Sequence, residues 1–184
     1  MNRSLRSAAL AALLAAHPML ASAAGSTSTQ DTVADVITGL VPLGGLAITY
    51  VKGDDLGKTQ WLRNISAELL LNTVARGLFN ETSLGRRPSG NEYGFPSGHV
   101  GFVTAGAAFL QERYGWHYGA PAYVLAAYVA YERVDSHHHH TGDVIAAAAL
   151  SYGVGRLFVT PEDASYLAPV IGPDFMGMRW ERSF

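Results

Sequence analysis

An all-α helical bundle is the fold this sequence predicts, and three observations carry the prediction. Apolar and small residues gather into five segments of helical length, separated by short breaks. Between Trp61 and Phe79 the polar residues Asn64, Glu68, Asn72 and Arg76 recur every fourth position, which sets them along one face of a helix. No alternating apolar and polar run is long enough to argue a sheet. With 184 residues, 48% of them hydrophobic, the chain suits one compact domain with a sizeable core.

Residues 1–23 read as a secretory signal. Arg3 and Arg6 form a positive start, Ala8 to Ala16 is an uninterrupted Ala/Leu run, and Ala21-Ser22-Ala23 is a small-x-small cleavage site. Export to the periplasm or cell envelope is therefore expected. Residues 24–31 read as a flexible Ser/Thr/Gly linker. A single helical domain is expected over 32–184, with helices near 32–51, 61–79, 98–114, 122–134 and 143–158. After Thr160 come Pro161, Pro169 and Pro173, and that region reads as irregular.

Composition excludes some classes. The formal net charge is −2 with no basic stripe, so nucleic-acid binding has no electrostatic support. Without cysteine, an oxidising compartment adds no disulfides, and packing alone must hold the fold. Beyond the signal, the longest stretch without charged residues or histidine, Val36 to Val51, has 16 residues. That falls short of the roughly 17–20 a bilayer span needs. A soluble or membrane-surface bundle is expected over a multi-spanning one.

The chemistry lies in three segments. Phe95-Pro96-Ser97-Gly98-His99 precedes the third helix. Free N–H groups of Gly98 and its neighbours at a helix start, with the Ser97 hydroxyl, make an anion site that His99 would face. Read alone, the same residues are also an ordinary turn that starts a helix. Arg133 is followed by His137-His138-His139-His140-Thr141-Gly142-Asp143. Four histidines can be a metal site, an accident of composition, or one functional histidine with neighbours. If the helix begins by His139, Asp143 lies on its face and can hold one imidazole nitrogen, leaving the other as nucleophile. The third segment is Arg76 with Gly85-Arg86-Arg87-Pro88, whose guanidinium forks match phosphate oxygens.

Together these segments resemble the type 2 phosphatidic acid phosphatases, which share a helical core with bacterial acid phosphatases and vanadium haloperoxidases. Pro96-Ser97-Gly98-His99 matches one motif in full; Arg133, His139 and Asp143 match the spacing of another; Arg87-Pro88 matches the third. Two positions depart from the pattern. Asn80 stands where the usual lysine falls, and a longer variant of the motif assigns that role to Arg76. Glu132 replaces the serine before Arg133, where it either competes for the guanidinium or points away.

The resemblance implies a bundle with the three motifs at one end and a metal- and cofactor-independent phosphatase. Arg76, Arg87, Ser97, Gly98 and Arg133 would hold phosphate. His139 would attack phosphorus, oriented by Asp143, and His99 would protonate the leaving oxygen. The implied substrate is a phosphorylated lipid or pyrophosphate, or a small soluble phosphomonoester. A vanadate-dependent haloperoxidase and a non-catalytic phosphate- or metal-binding module are the alternatives. The signal reading makes its own prediction: N-terminal sequencing of protein from the cell envelope should begin at Ala24, and an intact Met1 there would refute cleavage.

Overall fold

The computed structural model describes residues 28–162 and, as backbone, the strands Ser165–Ile171 and Met176–Arg182. The signal assigned to residues 1–23 lies outside the described residues. Five helices form the body: α1 (Thr29–Val51), α2 (Asp55–Phe79), α3 (Gly98–Tyr114), α4 (Trp116–Asp135) and α5 (Thr141–Phe158). The start of α1 meets the start of α3 and the end of α4, through Asp35, His99 and Arg133. At the other end the start of α2 meets the end of α3, through Asp54 and Arg113. Successive helices therefore run in opposite directions.

The central helix is α3, with 13 of its 17 residues buried and packed against all four others. Small residues make this possible. A Cβ on Gly106 would lie 2.7 Å from the Pro42 backbone, so α1 and α3 touch main chain to main chain. Phe109, Val103, Ala105, Ala107 and Ala108 of α3 are fully enclosed. The Trp61 indole donates to the Pro42 carbonyl at 2.8 Å and fixes α2 to α1.

The polar stripe of α2 faces α3 rather than water. Asn64, Glu68 and Asn72 are all fully buried. The Asn64 amide donates to the Ala105 carbonyl at 2.9 Å, and the Asn72 amide donates to the Ser97 carbonyl at 3.4 Å. Gly101 leaves the space that the Glu68 carboxyl fills. Burial pushes that carboxyl up to about 8, against the pull of the neighbouring Asn72 amide, so it is a neutral acid at pH 7.

Several boundaries differ from the sequence reading. The expected linker ends early: Ser28 caps α1, and Asp31 already sits in its first turn, bonded back to the Ser28 N–H at 3.0 Å. Asp54 accepts the Gly57 N–H at 2.8 Å and starts α2 at Asp55, six residues before Trp61. Helix α4 begins at Trp116, six residues before the expected start at Ala122, and runs through Pro121. The region after Thr160 is not wholly irregular. Ser165–Ile171 and Met176–Arg182 pair antiparallel, with Pro169 opposite Met178. Proline argues against a central strand, which is why the pattern hid one, yet a two-stranded ribbon has only edge strands.

Opposite the motifs, Asp54 and Arg113 form a bidentate pair at 2.6 and 2.7 Å. The Tyr114 hydroxyl donates to the same carboxylate, and Arg113 also donates to the Thr160 and Pro161 carbonyls at 3.0 Å. The side chains are 6% and 2% exposed, so losing one partner strands a buried charge. Arg113→Ala should therefore destabilise the fold by about 3–5 kcal/mol in chemical denaturation. A loss below about 1 kcal/mol, the range of an exposed pair, would contradict this reading.

Candidate active site

Between α2 and α3 the chain makes a 3-10 turn at Ser83–Gly85 and then doubles back. The Arg87 N–H donates to the Asn91 carbonyl at 2.8 Å, and the Gly94 N–H donates to the Gly85 carbonyl at 2.7 Å. Tyr93 takes a left-handed backbone, φ 58°, which a bulky residue adopts only at a cost. Its N–H donates to Asn80 Oδ1 at 2.9 Å, and Phe79 stacks edge-on against Phe95 at 5.2 Å. Asn80 thus clamps this loop.

The loop sets the orientation of His139. That ring is buried, and its Nδ1 lies 2.7 Å from the Gly94 carbonyl oxygen. A carbonyl only accepts, so Nδ1 carries the proton and Nε2 keeps its lone pair. This corrects the expectation that Asp143 holds the imidazole. Its Oδ2 stands 3.6 Å from Nδ1, and instead accepts the His140 N–H at 2.8 Å. The helical premise also fails: α5 begins at Thr141 with His140 as its cap, so His139 precedes the helix. Asp143 is the carboxylate of the first turn, where the helix dipole favours it. Burial, followed by the charge of Arg87, lowers His139 to about 3, although the Gly94 bond pulls the other way.

Ser97 caps α3, and its N–H donates to the Asp143 carbonyl at 3.2 Å, joining the starts of α3 and α5. Its hydroxyl is fully buried and finds no partner among the described residues. Gly98, His99 and Val100 occupy the first turn of α3, where N–H groups lack helical acceptors. Arg76 donates to the Tyr93 carbonyl at 3.2 Å and lies over that ring. The buried Nε atoms of Arg76 and Arg87 have no partner among the described residues. Burial lowers both guanidinium groups, and the charge of Arg87 adds to the effect at Arg76, while that of Arg133 adds to it at Arg87.

Arg133 is differently placed. Glu132 does not point away; it bonds the Arg133 Nε directly. The same guanidinium approaches Asp31 at 3.6 Å and Asp35 at 3.3 Å, and donates to the Asp31 carbonyl. A bond with Glu132 is the main cause that lowers Asp31 to about 2, whereas burial, then Asp31, raises Glu132. His99 Nε2 lies 3.2 Å from Asp35 Oδ1.

The other histidines differ from one another. His137 is exposed with φ 59°, His140 is exposed at the cap, and His138 is half-buried with Nδ1 2.7 Å from the Ser136 hydroxyl. Ligand atoms of Asp31, Glu132 and His138 lie within 4.8 Å of one another, close enough to hold a metal ion. Arg133 already occupies two of those carboxylates, and a cation there would have to displace it.

One end of the bundle therefore gathers Arg76, Arg87, Ser97, His99, Arg133, His139 and Asp143. Asp31, Asp35, Asn80 and the Gly94 carbonyl are the parts that sequence reasoning missed. The PAP2 superfamily model matches residues 59–164, and the chain belongs to that superfamily. A protein described as lipid A 1-phosphatase, from Helicobacter pylori (strain ATCC 700392 / 26695), is 29% identical over 122 residues. The match covers 64% of this chain and 64% of that relative. No solved structure matches the chain.

The state of His139 can be read directly. Its folded value, about 3, lies below the ordinary 6.5, so on acidification the unfolded chain takes up the proton first. The contribution to stability is complete above pH 6.5 and is lost as pH falls towards 3. Nitrogen NMR of the unliganded protein should show His139 as a neutral Nδ1–H tautomer throughout pH 5–7. A His139 ring that titrates within that window would refute the assignment.

Proposed function

We propose that this chain is a metal-independent phosphatase that works through a phosphohistidine on His139, with phosphorylated lipids as its substrate class. One observation carries the reading. Three buried donors without partners among the described residues, Arg76 Nε, Arg87 Nε and Ser97 Oγ, share one end of the bundle with a histidine whose Nδ1 is bound and whose Nε2 is left over. Buried polar groups are normally satisfied, and partly satisfied cations gathered in one place call for an anion. A phosphoryl group suits the planar arginine forks and the start of α3.

The chemistry follows from these atoms. Arg76, Arg87, the Ser97 hydroxyl and the Gly98 N–H hold the phosphoryl oxygens, and Arg133 completes the clamp. The His139 Nε2 lone pair forms a bond to phosphorus as the bond to the ester oxygen breaks. His99 gives that oxygen a proton. The Gly94 carbonyl keeps its hold on Nδ1–H, and Asp143, 3.6 Å away, offsets the positive charge the ring acquires. Water then attacks the phosphohistidine, with His99 taking its proton. The arginines supply the charge neutralisation that a metal would supply elsewhere.

Large apolar side chains on the outside of the bundle support a lipid substrate and work at a membrane surface. Leu40 of α1, Leu70 and Leu78 of α2, Val124 of α4 and Leu157 of α5 are all more than half exposed. The described helix α1 is itself long and apolar enough to cross a membrane. It exceeds the 16 charge-free residues read from sequence because it begins at Thr29. The similarity to a lipid A 1-phosphatase points the same way. An exported or cell-envelope location fits that substrate.

Phosphate release should be measured on lipid phosphates in detergent and on soluble phosphomonoesters. Lipid phosphates should be the better substrates. EDTA should leave turnover unchanged, and vanadate should inhibit as a mimic of the five-coordinate transition state. His139→Ala should abolish both turnover and the acid-trapped phosphoenzyme, whereas His140→Ala should retain the phosphoenzyme. Phosphate found on His140, or activity lost to chelation and restored by zinc, would overturn the mechanism.

A further inference from the structure

We propose that Asp35 of α1 is the positioning residue of His99: it binds the His99 Nε2–H and so directs Nδ1 to the leaving oxygen. This rests on the phosphatase reading above. Asp35 lies outside the residues matched to the superfamily, which begin at 59. Its Oδ1 is 3.2 Å from His99 Nε2 and 3.3 Å from Arg133 Nη2. One carboxylate oxygen thus bridges the leaving-group acid and a phosphate-binding arginine. The neighbouring His99 imidazole is the main cause holding the Asp35 carboxyl below its ordinary range, against burial, and the two meet at ion-pair distance without an aligned hydrogen bond.

The bridge settles how one imidazole can serve both halves of the reaction. As imidazolium, His99 carries a proton on each nitrogen. The Nδ1 proton passes to the ester oxygen while the phosphorus–oxygen bond breaks and the bond to His139 forms. The neutral ring keeps Nε2–H on Asp35, so Nδ1 is left with its lone pair. That lone pair then takes a proton from the water that attacks the phosphohistidine. Without a carboxylate at Nε2, the neutral ring is free to hold its proton on Nδ1 instead, and that tautomer cannot act as the base. Asp31 offers a contrast. It approaches Arg133 and His138, each at 3.6 Å, and forms no ion pair with His99 among the described residues.

The test is the dependence on the leaving group. For Asp35→Asn, kcat/KM should fall about 10-fold or more with an alkyl phosphate, within the range of a disabled general acid. The fall should be several-fold smaller with 4-nitrophenyl phosphate, whose leaving group needs no proton. Combining Asp35→Asn with His99→Ala should be no worse than His99→Ala alone, because both act on one proton transfer. Asp31→Asn should affect both esters alike. Phosphate trapped on His139 of Asp35→Asn from the nitrophenyl ester would show that fold and nucleophile survive. An equal loss on both esters, inactivity on both, or losses that add to that of His99→Ala would overturn the proposal. A rise in kcat/KM on both would also overturn it, by making Asp35 a competitor for Arg133. Should the wild-type protein release no phosphate from any ester, or His139→Ala keep full activity, the phosphatase reading fails, and this proposal falls with it.

Discussion

His139 Nδ1 and the carbonyl oxygen of Gly94 lie 2.7 Å apart in a place closed to water. The carbonyl belongs to the loop before α3, and the ring to the turn before α5. Breaking this contact would free the ring to turn and leave the Gly94 carbonyl without an acceptor role in a buried setting. The rest of the site is arranged to hold it. The clamp of Asn80 on Tyr93 fixes the loop on one side. On the other, the His139 N–H donates to the Arg133 carbonyl at 2.9 Å, and Asp143 secures the start of α5. The left-handed Tyr93 sits immediately before Gly94, so strain is placed beside the group that orients the ring.

Charge is distributed unevenly around that ring. On the side of α2 and its loop, Arg76 and Arg87 are only partly satisfied, and the charge of Arg87 disfavours that of Arg76. On the side of α1 and α4, Arg133 is surrounded by Asp31, Asp35 and Glu132. A bound anion relieves repulsion on the first side and competes with carboxylates on the second. Glu132 matters here because it shares its surroundings with Asp31: one of the pair is held well below the carboxylate range and the other is raised.

The scaffold explains why these groups can meet. Small residues on α3 let four helices close around it, and their alternating directions bring three helix starts and two helix ends to one place. Helix starts carry unsatisfied N–H groups, and the ends of α2 and α4 carry Arg76 and Arg133. The Asp54–Arg113 pair holds the opposite end of the bundle.

Much of the fold was legible in the residues. Apolar segments of helical length marked all five helices, and in α2 the four-residue spacing of Asn64, Glu68, Asn72 and Arg76 marked a face as well. Their starts were missed where capping residues preceded a polar first turn, as at Ser28 and Asp54. The superfamily was legible too, since motif spacing survives in a linear string. The orientation of His139 was not: its partner is a main-chain carbonyl 45 residues away, and a carbonyl has no side-chain identity to read. Nor was the partner of His99, because Asp35 reads as one acidic residue before an apolar stretch until packing of α1 on α3 sets it beside the ring. Residue types and local spacing thus determined the helices and the chemical groups available. Only the tertiary structure decided which nitrogen faces which acceptor, because that depends on contacts between segments far apart in the chain.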